Sequence, residues 1–225
     1  MPTRSHTTTY APSVPPDTEV LDLQLNEIVG NFPTVYNLPE LRVLNVAEND
    51  FQGTIPTELA TLTSLTSLNL ADNEFIAEIP SELGSLTGLI NLRITGNFLT
   101  GLIPTELGLL TLLNTFLAGL NTLTGAVPET FSALTGLQFL ALDGNDLNNR
   151  FPAQITAFTD LTVLYFNDTG TNGTIPEDFY QLTSLRGTDL SICGFVGVVS
   201  CVIGIVRNSH RFSLPSLFFH SCLSP

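Results

Sequence analysis

Carboxylates are the only side chains in the body of this sequence with the chemistry of a general acid or base. From Thr18 to Leu190 there is no lysine, histidine or cysteine. His6, His210 and His220 lie near the chain ends, and Cys193, Cys201 and Cys222 crowd into the last part. Without lysine there is no phosphate-loop amine and no Schiff base. No GxSxG, HExxH or GxGxxG occurs. The acids also recur where a catalytic pair would converge. Glu58, Glu82 and Glu106 hold the same place in "TIPTEL", "EIPSEL" and "LIPTEL". A Thr or Ser followed by Glu reads as a helix N-cap with an acid in the first turn, where a helix dipole favours negative charge. The expectation is a protein with no catalytic residues, no cofactor and no metal.

The totals agree with a binding role better than with several alternatives. The chain has 225 residues, 43% of them hydrophobic and 12% charged, enough for a sizeable core. Its 21 acids and 7 bases give a net charge of −14. Such a surface repels phosphate backbones, which argues against a nucleic-acid partner, and it holds no polybasic membrane patch. The opening "MPTRSHTTTYAPSVPPD" lacks the apolar run of a signal peptide. Residues 1–17 are expected to be a disordered Pro/Thr-rich leader.

What positions the acids is a repeat. Pro33, Pro56, Pro80, Pro104, Pro128, Pro152 and Pro176 follow one another at a first gap of 23 residues and then at gaps of 24. One unit reads "LTSLNLADNEFIAEIPSELGSLTG", Leu65 to Gly88. Its start alternates apolar and polar about Leu68 and Leu70, as a short half-buried strand does. An asparagine column then breaks the strand: Asn26, Asn49, Asn73, Asn97, Asn121 and Asn145. A buried amide can bond the backbone of the turn and of the neighbouring coil. Glycine permits the following bend, and proline ends the extended segment. A unit this short cannot bury its own apolar face, so each must be its neighbour's core. About eight units fill residues 18–206, the last imperfect, and 207–225 form a tail or cap.

These residues resemble the plant-type leucine-rich repeat, LxxLxLxxNxLxGxIPxxLGxL, of which "LINLRITGNFLTGLIPTELGLL" is a close copy. The resemblance implies an α/β repeat solenoid, a right-handed superhelix. A parallel sheet would line its concave side, with short helices or 3₁₀ turns on the convex side. Members of this subclass are ectodomains of receptor-like kinases and receptor-like proteins, or secreted inhibitors of polygalacturonases. It therefore implies a non-enzymatic, extracellular or membrane-associated receptor-like module that binds a protein or peptide, with a cell-wall hydrolase inhibitor as the alternative. Paired glycosidase acids are excluded by geometry, since concave acids Asp22 and Asp143 would lie many coils apart. Ala77 and Asn149 replace the turn glycine, and Thr169 and Thr171 replace an asparagine and a leucine. The solenoid is expected to loosen there. The family's cysteine-bearing N-terminal cap is not visible, so either the leader shields the first coil or the chain is a piece of something longer.

On this frame the central concave column is Asp22, Asn45, Asn69, Arg93, Leu117, Ala141, Tyr165 and Asp189. Leu117, Phe139, Val163 and Tyr165 would form an exposed apolar patch with Arg93 and Asp143 at its margin, a candidate ligand site. Thr63, Thr87, Thr111, Thr135, Thr159 and Thr183 form a second column, one per coil. Such a ladder could match ice, which one plant-type repeat class binds; the alternative is hydroxyls bonding backbone. Asn167 and Asn172 begin "NDT" and "NGT", N-glycosylation sequons. Finally, "LSICGFVGVVSCVIGIV", Leu190 to Val206, reads either as a short membrane span or as a decayed eighth repeat, and the retained register favours the repeat. Pairing of Cys193 with Cys201 would require that coil to unravel.

Overall fold

The computed structural model describes residues 14–32, 35 and 37–191, together with the backbone of Gly194–Phe195. The three cysteines, the three histidines, Pro33 and the tail lie outside the described residues, as does nearly all of the Leu190–Val206 segment. Eight three-residue strands form one parallel sheet, stacked in chain order: Val20–Asp22, Val43–Asn45, Ser67–Asn69, Asn91–Arg93, Thr115–Leu117, Phe139–Ala141, Val163–Tyr165 and Gly187–Asp189. The middle residues of the six inner strands, Leu44, Leu68, Leu92, Phe116, Leu140 and Leu164, are fully buried because alternation turns them inward, while Leu21 and Thr188 in the two end strands are half-buried. Opposite the sheet, 3₁₀ turns at Thr57–Thr61, Ser81–Ser85, Thr105–Leu109, Glu129–Ala133, Ala153–Ala157 and Glu177–Gln181 close the coils. The architecture is a leucine-rich repeat solenoid.

The asparagine column does what its chemistry allows. Asn97 donates from Nδ2 to the carbonyls of Ile94 and Thr95 in its own coil and of Leu70 in the preceding one, at 3.2, 3.2 and 3.0 Å. Its Oδ1 accepts the Phe75 N–H at 3.0 Å. Asn73, Asn121 and Asn145 repeat this pattern, and Asn49, likewise buried, makes equivalent bonds to the first coil. Asn26, at the head of the column, is exposed and bonds only the Leu23 and Gln24 carbonyls with its Nδ2.

The structure departs from the sequence reading in four places. First, the expected 3₁₀ turns are capped by prolines with no side-chain cap bond, and not by the Thr or Ser that follows. Thr57, Ser81 and Thr105 instead donate to the carboxylates of Glu58, Glu82 and Glu106 next to them. Proline fixes the entering backbone without a cap. Second, the segment after the asparagine forms another parallel sheet, Val29–Asn31, Asp50–Thr54, Glu74–Glu78 and Phe98–Thr100, continued by bridges Leu102↔Thr124, Thr124↔Asp146 and Arg150↔Asn172. Third, the substitutions at Ala77 and Thr169 do not open the stack. Ala77 adopts the glycine conformation, φ 68°, and its strand pairs on both sides. Buried Thr169 donates to Phe166 and shares a 2.7 Å hydrogen bond with buried Thr171, while Phe151 stands 5.9 Å from Phe166 and 5.4 Å from Phe179. Fourth, Val14 already packs against the core and the Thr18 N–H closes a turn on Pro15, inside the expected leader.

At the far end, Gly194 pairs with Asn172 and Phe195 with Gly173. No helix among the described residues is long and apolar enough to cross a membrane.

Candidate ligand site on the concave sheet

The concave row is set by strand register. Arg93 lies opposite Leu117, Leu117 opposite Ala141, Ala141 opposite Tyr165, and Tyr165 opposite Asp189. Phe139 lies opposite Val163 in the adjoining row. The sheet thus brings Arg93, Leu117, Phe139, Val163 and Tyr165 together, with neighbouring strands ~4.8 Å apart. Phe139 is 38% and Tyr165 46% exposed, whereas Leu117 and Val163 are half-buried. Arg93 is exposed at one margin. Ala141, 7% exposed, forms a low point between the Leu117 and Tyr165 strands.

Asp143 follows two residues after Ala141 on the same face and is half-buried. A β-carbon on Gly119 would lie 2.6 Å from Asp143 Oδ1, so the carboxylate rests over that glycine. Burial pushes its pKa above the ordinary aspartate value, the charge of Asp189 adds to the rise, and its own backbone N–H opposes it. Asp72 is also raised, by desolvation first and then by Glu48. Among the described residues the ion pair present is the exposed Arg42–Glu19 contact at 3.4 Å, far along the sheet. No group of acids there is disposed to hold a metal ion.

Other sequence-singled residues fall as follows. Asn167 is half-buried beside Tyr165, and its sequon threonine, Thr169, is fully buried. Asn172 is exposed, and Thr174 of its sequon is exposed too. The six threonines of the second column are all exposed, and their hydroxyls bond no protein group among the described residues. Backbone bonding therefore does not account for that column. Sequence reasoning missed another apolar surface. Ile76, Phe98 and Leu102 stand 49%, 58% and 63% exposed on the second sheet, with Ile76 directly opposite Phe98. Their alternation with buried Phe75 and Leu99 was the available signal.

Comparison with known proteins agrees with the repeat fold. A Leucine Rich Repeat family model matches residues 40–62 and 64–86. No curated protein matches the chain. Among solved structures, the chain is similar to the plant peptide hormone receptor RGFR1 in complex with RGF2, at 32% identity and TM-score 0.76, over 80% of this chain and 29% of that one. The Arabidopsis receptor kinase HAESA, in complex with the peptide hormone IDA and the co-receptor SERK1, gives 30% identity and TM-score 0.80, over 84% and 33%. A plant ice-binding protein gives 27% identity and TM-score 0.65, over 81% and 66%. The chain spans about a third of the length of the two receptor chains.

Proposed function

For this chain, a plant-type leucine-rich repeat solenoid, we propose recognition of a protein or peptide ligand on the concave sheet, as a receptor-like or extracellular binding module without catalysis. The observation that carries the reading is the register that gathers Leu117, Phe139, Val163 and Tyr165 into one exposed apolar patch flanked by Arg93 and Asp143. Rigid aromatic side chains at the centre of a charged margin are the usual anchors of a binding surface. Similarity to receptors solved with peptide hormones supports it. Glycosylation belongs to the same extracellular reading, with Asn172 the better placed of the two sequons because it is exposed and clear of the patch.

A random display library of short peptides, selected against the full chain, tests this. Selected peptides should lose about tenfold or more in affinity on Tyr165→Ala or Phe139→Ala. They should be unaffected by Phe98→Ser on the second sheet. Binding that ignores Tyr165 and Phe139 overturns the reading, and inhibition of a polygalacturonase by the free chain would favour the inhibitor alternative.

The free hydroxyls of Thr63, Thr87, Thr111, Thr135, Thr159 and Thr183 favour a second reading, binding of an ice surface. The flanking residues Ser64, Gly88, Leu112, Gly136, Asp160 and Ser184 share no chemistry, which weakens it. Inhibition of ice recrystallisation that disappears in a Thr111→Tyr, Thr135→Tyr double variant would support it. A chain that leaves crystal growth unchanged would end it.

A further inference from the structure

We infer that the low point over Ala141 receives a lysine or arginine side chain of the bound peptide. The inference rests on the concave-face reading above and adds the chemistry of one ligand residue.

Four walls surround that low point. Leu117 and Tyr165 are the register partners of Ala141 on either side, ~4.8 Å away across the sheet. Phe139 precedes it and Asp143 follows it by two residues on the same face. Three walls are apolar and the fourth is a carboxylate. Ala141 itself is a single methyl, 7% exposed, so the four larger neighbours rise above it and leave a narrow recess between them. Lysine and arginine combine an apolar stem with a cationic head, and this notch offers a surface for each part. The aromatic faces of Phe139 and Tyr165 add attraction for a cation.

Charge decides between a basic occupant and a neutral one. Asp143 is half-buried over Gly119 and forms no ion pair among the described residues. Arg93 stands two strands from Ala141 in the same row and does not neutralise it. Asp189 follows Tyr165 in that row, placing a second carboxylate beyond the notch. A neutral side chain would cover Asp143 and leave its charge unpaired in a drier site, which is unfavourable. An acidic one would be repelled by both carboxylates. Only a cation gains from the apolar walls and the carboxylate together.

The same random library, selected against the full chain, provides the test. Enriched peptides should carry a lysine or arginine at one fixed position beside an apolar residue. Replacing that residue with norleucine, which keeps the stem and removes the charge, should weaken binding about tenfold. Asp143→Asn should weaken the basic peptide similarly and leave the norleucine peptide unchanged. Glu58→Gln removes the same charge from the convex side and should change neither. Peptides that depend on Tyr165 and Phe139 without a basic preference overturn this inference and leave the concave-face reading standing. So does an equal loss in Asp143→Asn and Glu58→Gln, which would reduce the preference to bulk charge. Peptides indifferent to Tyr165 and Phe139 overturn both. The norleucine exchange requires no altered protein, so a variant that fails to fold does not block the test.

Discussion

The side-chain Nδ2 of Asn97 lies 3.0 Å from the carbonyl oxygen of Leu70, which belongs to the coil before its own. The same amide accepts the Phe75 N–H, so two groups of one coil depend on a residue of the next. Asn97→Ala strands these groups in a buried turn at ~1–3 kcal/mol each. A loss of roughly 2–4 kcal/mol is expected by urea denaturation. Asn26→Ala, at the exposed head of the column, should cost under about 1 kcal/mol. Equal losses at the two positions would contradict the inter-coil role.

Ala77 holds φ 68°, where Gly53 and Gly101 of the flanking coils hold 81° and 74°. An L side chain in this region costs ~1–2 kcal/mol, and a glycine costs back ~0.4–1 kcal/mol in unfolded-state entropy. Ala77→Gly should therefore stabilise by roughly 0.5–1 kcal/mol. A lowered denaturation midpoint would show that the strain is not there.

Phe116 and Ala118 occupy consecutive inward places where the coil of Ser67–Asn69 has Leu68 and Leu70, and all four are fully buried. Phe116 also meets Phe131 edge-on at 5.7 Å. A large residue beside a small one keeps the volume of the layer. Ala118→Leu alone should overpack it at ~1–3 kcal/mol, and Phe116→Leu alone should leave a void. The double variant should recover most of both losses in a double-mutant cycle, and simple additivity would refute the exchange.

Asp143 and Asp72 have raised pKa values, each with desolvation as the first cause. An acid whose folded pKa exceeds its unfolded value binds its proton more tightly when folded. Folding stability from these groups therefore rises as pH falls from each raised value toward the unfolded value near 4, and is lost as pH rises back through that window. Asp143→Asn should flatten this part of the stability–pH curve and stabilise the chain slightly at neutral pH. A basic peptide held by ionised Asp143 should show the opposite trend, with affinity falling as pH drops through the same window. A flat affinity profile there would remove Asp143 from the contact.

The repeat was legible because its signals are redundant: each inward leucine and each column asparagine is stated once per coil. The concave row was legible for the same reason, since a fixed period places Arg93, Leu117 and Tyr165 on one line without knowledge of any contact. What hid from view depends on local geometry that the period does not encode. In the second sheet the inward place recurs as Phe51, Phe75 and Leu99, but the outward place beside it, Gln52, Ile76 and Thr100, shares no chemistry, so the outer face carries no repeated signature. The proline caps escaped because Thr57 and Ser81 carry a capping hydroxyl yet spend it on the adjacent Glu. The residue before each column asparagine is left-handed even at Leu25 and Leu120, with φ 60° and 53°, where nothing in a leucine announces it. The depth at Ala141 follows from its neighbours' size and emerged only when the strands were set in register.

The direction in which the column amides point gives the molecule a polarity in time. During synthesis a coil leaves the ribosome with its turn carbonyl and N–H still waiting for an amide that has not yet been translated. Each coil is therefore finished by its successor, and the growing end of the nascent protein is always its least settled part. Folding that proceeds vectorially, a coil behind the exit tunnel, is built into the placement of one side chain in every twenty-four.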